Sequence, residues 1–170
     1  DLVRLFAESA SPALVAHVLA PAAAELVTLF PELQPLLPGT TPAPTSDPDT
    51  DKRRLFHAVA RTITLLSHTQ PVFLAVEDVH WCDDATLDLI VHLARSHTAQ
   101  PVVITLTYRG EEVGPRLARL IEELERARIV TELPMKPLGR KEVSAMLDAI
   151  FGPRTELGDD FVELMHSLTE

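Results

Sequence analysis

Two adjacent carboxylates, Glu77 and Asp78, directly follow the apolar run Val72–Val76. An apolar run of this kind predicts a buried β-strand. Charged groups at the end of a buried strand are costly unless a bound metal, a phosphate-bound cation or a general-base role uses them. The acid pair is therefore the first candidate for a functional site.

A basic side chain stands at the corresponding place one strand later. The apolar run Val102–Thr107 predicts a second strand, and Arg109 follows it. Ligands of open parallel sheets bind at the carboxyl ends of the strands, so the two loops should face one crevice. In phosphoryl transfer, acids hold Mg²⁺ and orient the attacking water while a cation steadies the γ-phosphate. Glu77 and Asp78 would supply the acids, and Arg109 would supply the guanidinium.

Plainer interpretations of these three residues remain open. The carboxylates of Glu77 and Asp78 could cap the turn that follows the strand, and Arg109 could form a surface salt bridge. Neighbouring residues of a strand point to opposite faces, so the two acids are not expected to share one role.

The elements around these residues alternate between predicted helices and strands. Apolar residues spaced three and four apart indicate helices over Asp47–Ser67, after an N-cap at Asp83 or Asp84, and from Pro115 onward. A shorter third strand is predicted at Ile129–Leu133. This order predicts an α/β fold with a parallel sheet of about three strands and flanking helices. Because the strands are apolar throughout, the sheet is predicted to be covered on both faces.

The chain divides by pattern into a core, residues 1–134, and a helical segment, residues 135–170. The second segment predicts helices at 140–151 and 158–169, separated by Gly152-Pro153. We interpret it as the start of a helical lid beside the sheet.

The N-terminal third has two different compositions. Residues 1–30 are rich in Ala and Leu and predict helices, with starts at Ser11-Pro12 and Ala20-Pro21. Residues 31–49 carry recurring prolines with Thr, Gly, Ser and Asp, so this segment is predicted to be a mobile connector without regular structure.

Composition excludes several classes of partner. The formal charge of −10 and the pI near 5.1 argue against direct contact with nucleic acid or an anionic membrane surface. No run of about 18 apolar residues occurs, so a membrane span is not expected. The single cysteine, Cys82, permits no internal disulfide and suits the cytoplasm. The start at Asp1, without methionine or signal pattern, predicts a cut inside a longer polypeptide.

A family resemblance extends over most of the chain. Val72–Asp84 followed by Ala85–Ile90 resembles the segment "strand, ED or DD, x, HW, x, D, x, x, (S/T)L" of STAND-type relatives of the AAA+ ATPases. These occur in large ATP-binding LuxR-type transcriptional regulators. Thr107–Arg109 resembles their sensor motif, and Met135–Leu138 with Glu142 resembles the segment that leads into their lid. Weaker similarities occur at Phe30–Leu33 and Arg54–Phe56.

The resemblance implies a role for each candidate residue. Glu77 would stand at the Mg²⁺ position, where the family usually has Asp, and Asp78 at the catalytic acid position. Arg109 would be the γ-phosphate sensor and Thr107 a polar partner at the strand end. The expected cofactors are ATP and Mg²⁺. His80 carries over as a motif residue only, whereas its aromatic neighbour Trp81 is expected from residue chemistry to be a hydrophobic anchor for the loop.

One part of the family pattern does not occur in the sequence. No G-x-x-x-x-G-K-(S/T) phosphate loop occurs in the 170 residues, and this loop supplies most of the phosphate binding. The resemblance therefore implies an incomplete P-loop NTPase three-layer fold, which binds ATP feebly or not at all by itself. It also predicts open strand edges and self-association through them.

Three functional hypotheses follow. The first is a fragment of a regulatory ATPase domain, in which ATP binding or hydrolysis switches a cytoplasmic regulator and the fragment alone is inactive. The second is a non-catalytic protein-interaction module on the same fold. The third is a metal-dependent hydrolase with ligands from Glu77, His80, Asp83 and Asp84.

Overall fold

The computed structural model describes residues 18–44, 46–152 and 159–168. The α-helices are α1 (Ala23–Leu29), α2 (Pro48–Ser67), α3 (Asp84–Ser96), α4 (Pro115–Arg126), α5 (Arg140–Phe151) and α6 (Asp159–Leu168). The strands are β1 (Val72–Val76) and β2 (Val102–Leu106), and short 3₁₀ helices occur at Ala20–Ala22, Pro31–Leu36, Val79–Trp81 and Gly110–Glu112. The predicted helix start at Ser11-Pro12 lies outside the described residues.

The two strands form a parallel pair connected by α3. Their register places Val72 opposite Val102 and Val76 opposite Leu106. The pairing continues past the strand ends, because the Thr107 N–H donates to the Val76 carbonyl at 3.0 Å. The α/β prediction, a small parallel sheet with flanking helices, is confirmed.

The third predicted strand, Ile129–Leu133, does not form. Arg128, just before it, turns the chain through the left-handed region with a φ of 56°. Ile129 then packs against the core, whereas Val130 is 40% exposed and Leu133 is 77% exposed. The prediction was wrong because this run is short and interrupted by Thr131 and Glu132, and no described strand pairs with it.

The sheet is covered on one face only in the described part of the chain. Alternate residues of both strands pack against a buried cluster that contains Ala60, Ile63 and Leu93 of the helices. On the other face Phe73 is 68% exposed and Val103 is 58% exposed. The prediction of a sheet covered on both faces is therefore wrong for the described residues, since no described helix of the first 131 residues lies over Phe73 and Val103.

The proline-rich segment is more ordered than its composition suggested. Pro31–Leu36 forms a 3₁₀ helix, and Leu33 and Leu37 are buried in one cluster with Leu26 of α1. Farther along, the Ala43 N–H donates to the Ala24 carbonyl at 3.1 Å. The prediction of no regular structure is wrong over Pro31–Leu36, because two leucines four residues apart give this segment an apolar anchor.

Asp88 of α3 forms ion pairs with two neighbouring helices. Its carboxylate pairs with Lys52 of α2 at 2.7 Å and with Arg116 of α4. The buried ring of His97, just after α3, lies 3.0 Å from the Ala60 carbonyl oxygen of α2 through Nε2. These contacts fix the helices that support the carboxyl ends of the strands.

A buried cluster beneath those strand ends holds the loop that follows β1. Val79 in that loop is 0% exposed, and it packs in one cluster with side chains of α3 and α4. The other buried members are Leu87, Ile90, Leu117, Leu120 and Leu124. The loop therefore rests on the core through its own side chain.

The chain divides into two compact units after Thr131. In the second unit α5 and α6 pack through Val143, Leu147 and Val162, and Arg140 pairs with Glu163 at 3.2 Å. The helix predicted at 140–151 is confirmed as Arg140–Phe151. The helix predicted at 158–169 is confirmed over its described residues, Asp159–Leu168. The assignment of residues 1–134 as a nucleotide-binding core and 135–170 as a lid stays a prediction.

Candidate functional site

Thr107 connects the acid loop after β1 to the end of β2. The Asp78 N–H donates to Thr107 Oγ1 at 3.1 Å, and the Val79 N–H donates to the Thr107 carbonyl at 2.9 Å. Asp78 itself has a φ of 52°, in the left-handed region, which Asp and Asn tolerate better than most residues. The structure thus brings Asp78 and Thr107, two of the predicted site residues, together.

The two acids present carboxylates that a cation can reach. The side chain of Asp78 is 49% exposed, and Glu77 is exposed. Mg²⁺ is usually bound in proteins through one or two carboxylates together with substrate phosphates and waters. The oxygen donors of Glu77 and Asp78 therefore fit a phosphate-bound Mg²⁺ at the carboxyl end of β1.

Within the loop, the buried aromatic ring is His80 rather than Trp81. The side chain of His80 is 0% exposed, whereas Trp81 is 70% exposed, and their ring centroids are 4.9 Å apart. The expectation that Trp81 anchors the loop is wrong. Val79–Trp81 is a 3₁₀ turn with about three residues per turn, so successive side chains point about 120° apart and Trp81 points outward when Val79 points inward.

Arg109 stands beside β2, as predicted, but its guanidinium already has a partner. Its Nη1 lies 3.3 Å from Oε1 of Glu112, three residues later, and the Arg109 side chain is 60% exposed. The other carboxylate oxygen of Glu112 lies 3.3 Å from His80 Nε2. Sequence reasoning missed Glu112, although its spacing of three residues from Arg109 in a tight turn was a usable signal.

The start of α3 accounts for the acids that follow Trp81. Asp83 is the N-cap and accepts a hydrogen bond from the Thr86 N–H at 2.7 Å, as the capping prediction requires. Cys82 is partly buried against the core, and burial raises the pKa of its thiol, with a further contribution from Asp83. The thiol therefore stays protonated near neutral pH, in keeping with a packing role.

We expect the Asp83 cap to make stability depend on pH. The Thr86 backbone and side chain hold the pKa of the Asp83 carboxyl below its ordinary value of 3.8. Ionised Asp83 therefore stabilises the fold above pH 3.8, and this contribution disappears as the pH falls through the lower folded-state pKa. Asp83→Asn keeps a good cap without the charge. Its melting temperature should therefore be lower than that of the unsubstituted chain at neutral pH, and the two should converge in acid.

Melting temperatures from about pH 6 to about pH 2 test this prediction. Glu111→Gln, which also removes one exposed negative charge, corrects for the change in net charge. A difference that stays constant to the acid end of the range would exclude a stabilising charge at Asp83.

The metal-ligand set proposed as an alternative does not assemble. Among the residues that the structure describes, no group of three or more His, Cys, Asp or Glu side chains could hold a metal ion. Asp83 is turned toward the start of α3, and His80 is buried toward Glu112, so the four predicted ligands do not converge. The metal-dependent hydrolase hypothesis is therefore not retained.

Comparison with known proteins identifies the family. Residues 2–105, more than half of the chain, match the family described as AAA ATPase domain. The chain therefore belongs to the AAA ATPase domain family, whose members in general bind nucleotide and Mg²⁺. Glu77 and Asp78 lie inside the matched range, whereas Thr107 and Arg109 lie beyond it.

A bacterial relative adds a second comparison. An uncharacterized protein of Rhizobium meliloti (strain 1021) is 30% identical over 103 residues, which are 61% of this chain and 9% of the relative. The chain thus corresponds to a small part of that longer protein. No solved structure matches the chain significantly. Of the helices that the structure describes, none has the length and apolarity needed to cross a membrane.

Proposed function

We propose that this chain is part of a STAND-type ATPase domain in a large regulator of the LuxR type, in which ATP binding and hydrolysis switch the protein between signalling states. The observation that supports this most is the link through Thr107, which places the acid loop after β1 beside the loop that carries Arg109. Family membership supports the coarser part of the proposal, a nucleotide-dependent ATPase domain.

Each candidate residue has a stated task in this proposal, and Asp78 has two. Glu77 would be the main ligand of Mg²⁺ at the nucleotide phosphates, with Asp78 beside it as a secondary ligand, and the ion would supply positive charge that offsets the charge of the phosphates. Asp78 also orients the attacking water and accepts its proton, while the guanidinium of Arg109 binds the γ-phosphate. Thr107 is a positioning residue, because its hydroxyl holds the Asp78 backbone.

The wider context belongs to the same proposal. Residues 1–134 are part of the nucleotide-binding core, residues 135–170 begin a helical lid, and the parent protein is cytoplasmic. The phosphate loop is supplied by sequence outside the 170 residues. Self-association through the edges of β1 and β2 stays a prediction, and its support is that no other strand of the described residues pairs with these edges.

The decisive experiment compares Mg-ATP binding by two polypeptides. One is the 170-residue chain, and the other extends upstream through a G-x-x-x-x-G-K-(S/T) loop. We expect the extended protein to bind Mg-ATP and the short chain to bind it feebly, because backbone N–H groups and the lysine of that loop provide most of the phosphate contacts. Replacing the loop lysine by alanine is the control. Failure of the extended protein to bind Mg-ATP would remove the proposed function.

A second candidate is a protein-interaction module that has kept the fold without the chemistry. The exposed apolar side chains of Phe73 and Val103 favour it, since contiguous exposed apolar groups often mark contact surfaces. The same binding experiment separates the two candidates, because only the ATPase requires nucleotide affinity in the extended protein.

A further inference from the structure

Glu112 lies between the two loops of the candidate site and contacts both. Its Oε1 is 3.3 Å from Nη1 of Arg109, and its Oε2 is 3.3 Å from Nε2 of His80. Arg109 follows β2 and His80 follows β1, so one carboxylate links the ends of two paired strands.

The contact with His80 distinguishes Glu112 from an ordinary surface carboxylate. The His80 side chain is 0% exposed, and neither ring nitrogen forms a hydrogen bond within the described part of the chain. Glu112 Oε2 is nearer to Nε2 than Asp78 Oδ1, which is 4.0 Å away. A buried polar nitrogen without a hydrogen bond is unfavourable, so a small movement of Glu112 toward His80 is favoured whenever Arg109 releases it.

The charges at Arg109 point to competition for the guanidinium. Arg109 is paired with Glu112 in the structure, but its side chain is 60% exposed, so a ligand in solvent can reach its guanidinium. A phosphate group is a stronger partner for a guanidinium than an exposed carboxylate, because it carries more charge and more acceptor oxygens. A terminal phosphate near Asp78 would therefore displace Glu112 from Arg109.

We propose that Glu112 is a positioning residue that couples Arg109 to the His80–Trp81 segment, and that the γ-phosphate of a bound nucleotide competes with its carboxylate for Arg109. The coupling is a property of the nucleotide-free fold, whereas the competition rests on the proposed function. Trp81 packs against His80 and is exposed. A change in the partner of Arg109, from Glu112 to phosphate, therefore alters the surroundings of Trp81 at the protein surface.

The coupling is tested without nucleotide by NMR on the 170-residue chain. Arg109→Met should shift the His80 ring resonances and the indole N–H resonance of Trp81, the single tryptophan. In a Glu112→Gln background the same substitution should leave those resonances in place, because the charged link has been removed. Glu111→Gln, the neighbouring exposed carboxylate, is the matched control and should preserve the response to Arg109→Met.

This readout separates coupling from a merely structural role. Glu112→Asp, which keeps the charge, should retain part of the response and serves as the second variant if Glu112→Gln loses its far-UV circular dichroism spectrum. Equal responses in the Glu112 and Glu112→Gln backgrounds, or no response in either, would overturn the coupling.

The competition is tested on the polypeptide extended through the phosphate loop. Glu112→Gln should tighten binding of Mg-ATPγS relative to Mg-ADP by about two- to five-fold, the factor that corresponds to an exposed ion pair. Glu111→Gln should leave the ratio of the two Kd values unchanged. An unchanged ratio in Glu112→Gln would reject the competition. Absence of any nucleotide binding by the unsubstituted extended protein would instead reject the proposed function. The coupling would then be decided by the NMR experiment alone.

Discussion

Asp78→Asn in the extended protein is expected to reduce ATP hydrolysis by about 10²- to 10⁴-fold, the usual contribution of a general base, while Mg-ATP still binds. The amide cannot accept the proton of the attacking water as a carboxylate does. The backbone should survive the change, because Asn tolerates the left-handed conformation that Asp78 adopts at a φ of 52°. The hydrogen bond from the residue 78 N–H to Thr107 Oγ1 is also independent of the side chain.

A nearby carboxylate provides the control for this substitution. Asp84 is exposed in the first turn of α3, so Asp84→Asn makes the same chemical change near the site without altering the acid pair. Turnover and nucleotide affinity measured on both variants separate a lost base from a general loss of negative charge. Wild-type turnover in Asp78→Asn would remove Asp78 from the catalytic role and leave Glu77 as the remaining acid to examine.

Local sequence patterns predicted most of the elements that carry the site. The apolar runs predicted β1 and β2, and the predicted cap Asp83 accepts a hydrogen bond from the backbone N–H three residues later. Their order also predicted that the loops after β1 and β2 lie side by side. These features depend on short-range spacing and on the geometry of parallel strands, so they can be inferred from the sequence alone.

The side-chain contacts of the site could not be predicted in the same way. His80 and Glu112 are far apart in sequence, and only the pairing of β1 with β2 brings their loops together. The exchange of roles between His80 and Trp81 depends on a single 3₁₀ turn, which hydrophobicity does not reveal because Trp81 is the more apolar residue.

The open face of the sheet illustrates a different limit. Continuous apolar strands predict two covered faces, and the Phe73 and Val103 side chains have the apolar character that such burial requires. Whether a layer covers them depends on which other elements are present, which the strands themselves do not encode. Within the described residues, Phe73 and Val103 are exposed.

Leu120→Ala is expected to lower the free energy of unfolding by about 2–5 kcal/mol. Leu120 of α4 is 1% exposed and belongs to the buried cluster that contains Val79. Truncation removes apolar contacts and leaves a cavity beneath the acid loop. A loss of this size is a large fraction of the stability of a typical domain, which is about 5–15 kcal/mol. Urea unfolding followed by far-UV circular dichroism measures it.

Leu133→Ala provides the matched control, because it makes the same substitution at a side chain that is 77% exposed. Its effect should be within about 0.5 kcal/mol, as for most surface changes. Similar losses in both variants would show that the cluster around Leu120 is not the main source of stability. If only Leu120→Ala is destabilised, the amide of Asp78 should also exchange faster with solvent in that variant. The neighbouring Val79 holds the acid loop on this cluster, so the geometry of the candidate site depends on the packing of α4.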